Sequence, residues 1–166
     1  MPETVFGLPT HAIVVHATVV LLPLAALALL LHAFWPAARR RLGVVTPLLA
    51  GVALVLVPIS TDSGESLEHA VGRSELVERH AELADGMLPW AIGLFVVAAG
   101  LWLLDRRRAR SSNAAEPRWL PIVASVLALV VAAGAVQQVI RVGHAGAEAT
   151  WNGVSTASTG GDRDGD

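Results

Sequence analysis

Apolar positions in this chain fall into four long blocks, and polar positions gather between them. The blocks run from about Ala12 to Trp35, from Gly43 to Ser60, from about Ala84 to Leu104, and from about Trp119 to Ile140. About 20 apolar residues in a helix cross the hydrocarbon core of a bilayer. The pattern therefore predicts an all-α fold: an integral membrane four-helix bundle occupying residues 11–151. Between the second and third blocks the periodicity changes. In SELVERHAELADGML, Leu76, His80, Leu83 and Met87 recur at the spacing of one helical face, which predicts a short amphipathic helix in that link. Residues 1–10 form a leading segment, and the polar, glycine-rich stretch 152–166 is expected to be a disordered tail.

Prolines and aromatic residues fit these helices. Pro47, Pro89 and Pro121 fall in or near first turns, where no backbone donor is lost. Pro23 lies mid-span, where it frees the carbonyl of Val19 and is expected to kink the helix. Trp35, Trp90, Trp102, Trp119 and Trp151 all lie near block ends, as an interfacial belt requires. Ala124, Ala128 and Ala132 repeat every fourth residue, and Gly93 and Gly100 lie seven apart. Small residues at such spacing let helices approach closely where lipid removes the hydrophobic drive.

Charge adds an orientation. The link between the first two blocks carries Arg39, Arg40 and Arg41, and that between the last two carries Arg106, Arg107, Arg108, Arg110 and Arg118. The middle link holds only Arg73 and Arg79 among Asp62, Glu65, Glu68, Glu75, Glu78, Glu82 and Asp85. The positive-inside rule then places both arginine-rich links in the cytoplasm and both termini outside a bacterial cytoplasmic membrane. The first block is too long for a cleavable signal, and MPETVFGLPT before it has no basic residue. A net charge of -2 argues against a nucleic-acid partner. Cysteine is absent, which excludes disulfides, thiolate metal sites and covalently attached haem.

Under this topology five of the six histidines lie at the outer face: His11, His16, His69, His80 and His144. His32 falls at the cytoplasmic end, read as interfacial, and His69 is read as solvated. His11 and His16 lie about 140° apart around a helix, so each needs a partner from another element. Gln137, Arg141, His144 and Glu148 form one polar stripe if the last helix continues past Gly143 and Gly146, which are expected to weaken it. Three readings of these groups stand side by side. In the first, non-covalent b-type haem takes one axial bond from His16 and the other from His80 or His144, with Arg141 meeting a propionate, in a membrane redox subunit. In the second, a divalent metal is bound by His11, His16, His80 and Glu82 or Asp85. In the third, the chain is a structural or accessory subunit whose polar groups make interhelical hydrogen bonds. No phosphate-cradling loop or serine with an evident base marks an independent enzyme, and Asp62 and Glu65 have capping-box spacing at an expected helix start.

The opening HAIVVH, the block DSGESLEHAV followed by ELVERHAELADGMLPW, and VGHAGAEATW after the last span together resemble the bacterial membrane proteins of domain of unknown function 2231. The likeness runs from about Leu8 to Trp151. The family pattern usually has Pro after the first histidine and Phe-Pro after the second; here Ala12 and Ala17-Thr18 stand in those places. The resemblance implies a four-helix inner-membrane protein. It also implies a redox association, because the domain occurs fused to Rieske-type iron–sulfur modules. A Rieske-type or other redox protein, the lipid bilayer and a second copy of the chain are the expected partners.

Overall fold

A computed structural model describes residues 4–5, 7–71, 74–110 and 119–151. The tail expected to be disordered, Arg73, Arg118 and the side chain of His69 lie outside the described residues. The described chain is helical apart from a two-residue ladder, β1 (Thr4–Val5) against β2 (Leu8–Pro9). The helices are α1 (Thr10–Phe34), α2 (Pro36–Leu42), α3 (Val45–Val71), α4 (Glu75–Asp85), α5 (Leu88–Arg110) and α6 (Trp119–Trp151). Four stretches are long and apolar enough to cross a membrane: Thr10–Phe34, Val45–Glu68, Glu75–Arg110 and Trp119–Trp151.

The bundle closes as a square. α1 packs on α3 and α6, α5 packs on the same two helices, and α1 meets α5 more lightly across the diagonal. Chain neighbours are thus space neighbours, as short links between antiparallel helices dictate. The seam is built largely from alanine: Ala25, Ala26, Ala50, Ala53, Ala91, Ala98, Ala128, Ala132 and Ala135 are buried around Leu22, Leu29, Val57 and Leu94. Small residues draw the backbones together, so dispersion rather than water exclusion holds the interface. Gly93 lies in this seam against Val131, whereas nothing packs on Gly100. The larger aliphatics Val20, Leu48, Val55, Val96, Ile122 and Ile140 point outward, where lipid is their solvent.

Two helices are longer than their apolar blocks. α3 runs on past Ser60 to Val71, through Pro58, and α6 runs on past Ile140 to Trp151. Asp62 and Glu65 are therefore mid-helix, and the capping-box reading of that stretch is overturned. Ser63 and Thr61 instead bond back to carbonyls of their own helix, Ser60 and Pro58. The helix start lies later, at Ser74, whose hydroxyl accepts from the Val77 amide and opens the amphipathic α4. Gly143 and Gly146 do not break α6. α1 likewise continues through Pro23. At the opposite end Pro36 begins α2 and Gly43, at a φ of 43°, ends it in a turn that leads to α3.

Candidate functional site

Two polar clusters occupy the two ends of the bundle, one beside the arginines and one beside the acidic link. The arginine-end cluster is the more enclosed. His32 is 1% exposed and Thr46 is fully buried. The His32 ring Nδ1 meets the Thr46 hydroxyl of α3 at 3.1 Å, and its Nε2–H donates to Asp105 Oδ2 of α5 at 2.9 Å. Arg39 of α2 folds back over the end of α1, donating from Nε to the His32 carbonyl at 3.0 Å and from Nη2 to the Ala33 carbonyl at 2.8 Å. These are carbonyls a helix end leaves without amide partners, and a cation there also meets the negative end of the helix dipole. Arg39 and Arg108 both face Asp105, at 3.9 and 3.6 Å. One imidazole thus connects α1 to α3 and α5, and one guanidinium brings α2 into the same cluster.

Hydroxyl, imidazole and carboxylate in line have the composition of a nucleophilic triad. The setting gives them another role. Thr46 has no exposed surface, so its oxygen is closed to a substrate. The arrangement satisfies both ring nitrogens inside the bundle and fixes the relative positions of three helices. Sequence reading missed this cluster by treating His32 as interfacial. A signal was present: His32, Thr46 and Asp105 all fall within a turn or so of the arginine-end block boundaries, at one depth.

The acidic-end cluster uses a different device, repeated three times. His11 Nδ1 reaches the Ser60 carbonyl at 3.1 Å, with Ser63 Oγ at 3.2 Å, and its ring lies on Gly64. His80 Nδ1 reaches the Val142 carbonyl at 3.0 Å, and its ring lies on Gly146. Gln138 Nε2 donates to the Leu83 carbonyl at 2.6 Å, with its amide on Gly86. Each donor approaches a helix carbonyl across a glycine one turn later. A helical Cβ tilts toward the N-terminus and overhangs the preceding turn. Removing it uncovers the carbonyl's second lone pair. A Cβ at Gly146 would stand 3.0 Å from the His80 ring, and one at Gly64 3.2 Å from that of His11.

The sequence-predicted ligands are distributed unevenly. His80 points with the apolar stripe of α4 into α6, as its spacing implied. His16 is exposed and turns its ring back to the Ala12 carbonyl of its own helix. His144 is 75% exposed and faces Glu148 at 3.3 Å. Glu82, Asp85 and Arg141 are exposed. Among the described residues no three of His, Asp and Glu converge closely enough to hold a metal ion, so His11, His16, His80, Glu82 and Asp85 are not gathered into one site. The stripe Gln137, Arg141, His144 and Glu148 does exist on an unbroken α6, with Arg79 of α4 reaching Glu148 at 3.4 Å.

A family model described as "Predicted membrane protein (DUF2231)" matches residues 7–158. The chain belongs to this family. No curated protein and no solved structure matches it. The DUF2231 match covers both polar clusters and all four membrane-spanning stretches, so the family assignment and the helical architecture agree on a multi-pass membrane protein. All three histidine-bearing stretches that suggested the family, around His11, His80 and His144, lie at one end of the bundle.

Proposed function

We propose that this DUF2231 protein is a non-catalytic structural subunit of the bacterial cytoplasmic membrane, with its arginine end in the cytoplasm and both termini outside. One observation carries the reading: the imidazoles with partners on other helices spend their bonds holding helices in register. His11 links α1 to α3, His80 links α4 to α6, and His32 links α1 to α3 and α5. Among the described residues no buried side-chain nitrogen or oxygen lacks a hydrogen-bond partner. Interhelical bonds of this kind contribute about 1 kcal/mol each, and the charge-assisted one to Asp105 contributes about 1.5–3 kcal/mol. The orientation rests on the arginines that crowd the α2 and α5 ends, against the carboxylates of α3 and α4.

A b-type haem between His16 and His80 or His144 competes with this reading, as does a divalent metal at the acidic end. For haem, His16 and His144 must leave their present partners and turn inward, and His80 must offer its free Nε2. Purification after haem-supplemented expression separates the three. The structural reading expects no Soret absorbance, no stoichiometric metal after dialysis, and a His80→Ala variant that is less stable with an unchanged spectrum. A Soret band abolished by His16→Ala or His80→Ala would replace it with a redox subunit, and one retained metal per chain would replace it with a metal-binding protein. A reporter fused after Asp166 checks the orientation, with extracytoplasmic activity expected.

A further inference from the structure

The groove between α4 and the last turns of α6 holds charges that the fold does not use. It is an open surface groove of about 540 Å³, lined by Arg79, Glu82, Leu83, Arg141, His144 and Ala145. Of these, Arg79 donates to Glu148, one turn further along α6, at 3.4 Å, and His144 faces the same carboxylate at 3.3 Å, so both have a partner. Arg141 and Glu82 are not matched. Neither side chain makes a hydrogen bond or ion pair among the described residues, although both line the same groove. One free guanidinium and one free carboxylate remain.

Their depth matters. Trp119 to Ile140 is the apolar part of α6, about 33 Å of helix, close to the roughly 30 Å of hydrocarbon in a bilayer. Arg141 follows immediately. The groove therefore opens where acyl chains give way to headgroups. Its volume falls in the range of roughly 300–1,000 Å³ that small-molecule sites occupy. Leu83 and Ala145 supply an apolar wall beside the two free charges.

We propose that this groove binds the phosphoethanolamine headgroup of a membrane phospholipid. The phosphodiester accepts paired N–H bonds from the Arg141 fork, a geometry to which guanidinium is suited. The primary ammonium donates to the Glu82 carboxylate. Each charge on the ligand thus meets the protein charge that lacks a partner. A phosphoglycerol headgroup would satisfy Arg141 but bring no cation to Glu82. A phosphocholine headgroup would bring a cation without an N–H to donate.

Native mass spectrometry of the full chain in detergent tests this, using phosphatidylethanolamine, phosphatidylglycerol and phosphatidylcholine with matched acyl chains. Phosphatidylethanolamine is expected to be retained roughly tenfold better than the other two, the equivalent of one charge-assisted bond. Arg141→Gln and Glu82→Gln should each abolish that preference, while Arg107→Gln at the opposite end should leave it intact. Both site residues are exposed and unpaired, so their variants should melt as the parent does. Equal retention of the three lipids overturns the proposal, as does a preference that survives Arg141→Gln. Binding of soluble phosphoethanolamine without any lipid preference overturns its lipid form.

Discussion

His32 and His80 are both interhelical histidines, yet they are held in opposite ways. His32 is sealed between two side chains, the Thr46 hydroxyl and the Asp105 carboxylate. His80 is half-buried and uses a main-chain carbonyl, at Val142, that no substitution can delete. The arginine end is therefore specified by chemical partners, and the acidic end by space, because a carbonyl is everywhere along a helix and the missing Cβ of Gly146 leaves room for the ring at this one. An ion-paired knot should fail when a partner is changed. A glycine-seated contact should fail when the seat is filled.

The comparison breaks most sharply at Asp105. Asp105→Ala leaves the His32 Nε2–H buried without an acceptor and removes the carboxylate that Arg39 and Arg108 face. It should cost about 2–4 kcal/mol in a detergent unfolding titration, and a double-mutant cycle with His32→Ala should return a coupling of about 1.5–3 kcal/mol. A coupling near zero would mean that the knot contributes packing alone.

Filling a glycine seat should come next. Gly146→Ala and Gly64→Ala are each expected to cost about 1–2 kcal/mol, since the added carbon crowds the ring and strains its hydrogen bond. Gly143→Ala, with nothing within 4 Å of the added carbon, is the control and should be neutral or slightly stabilising. Were Gly143→Ala as harmful as Gly146→Ala, helix flexibility rather than ring seating would explain both.

His80→Ala should cost about 1 kcal/mol, additively with Asp105→Ala because the two lie at opposite ends of the bundle. His16→Ala should shift stability by no more than about 0.5 kcal/mol, its ring being exposed and bonded only to its own helix. A larger loss at His16 would place a partner on that face.

The helices themselves were legible because lipid allows few alternatives: a long apolar block must be a helix, and arginines mark its ends. The errors came where helix outlasts hydrocarbon. α3 past Ser60 and α6 past Ile140 turn polar and glycine-bearing, which in sequence reads as an ending. Asp62 and Glu65 looked like a capping box because the hydroxyl-bearing stretch around them, where Thr61 and Ser63 bond back to their own helix, uses the same residue types as a helix start. Gly146 looked like a breaker because spacing cannot reveal that an imidazole from 66 positions earlier, His80, occupies the gap. His32 was underrated for a related reason. Its partners come from two other helices, and only a fixed packing order brings Thr46 and Asp105 to it. His80 was the exception, since its neighbours on the α4 face already showed which way it pointed.

The unbroken course of α6 has a mechanical consequence. From Trp119 to Trp151 it is one stiff rod, and its last ten steps carry Trp151 about 15 Å beyond Arg141. α4 is fastened to that rod three times, at Val142 through His80, at Gln138 through Leu83 and at Glu148 through Arg79. The surface that α4 presents to water therefore has no hinge of its own: when the bundle leans in the bilayer, that surface leans with it as one body.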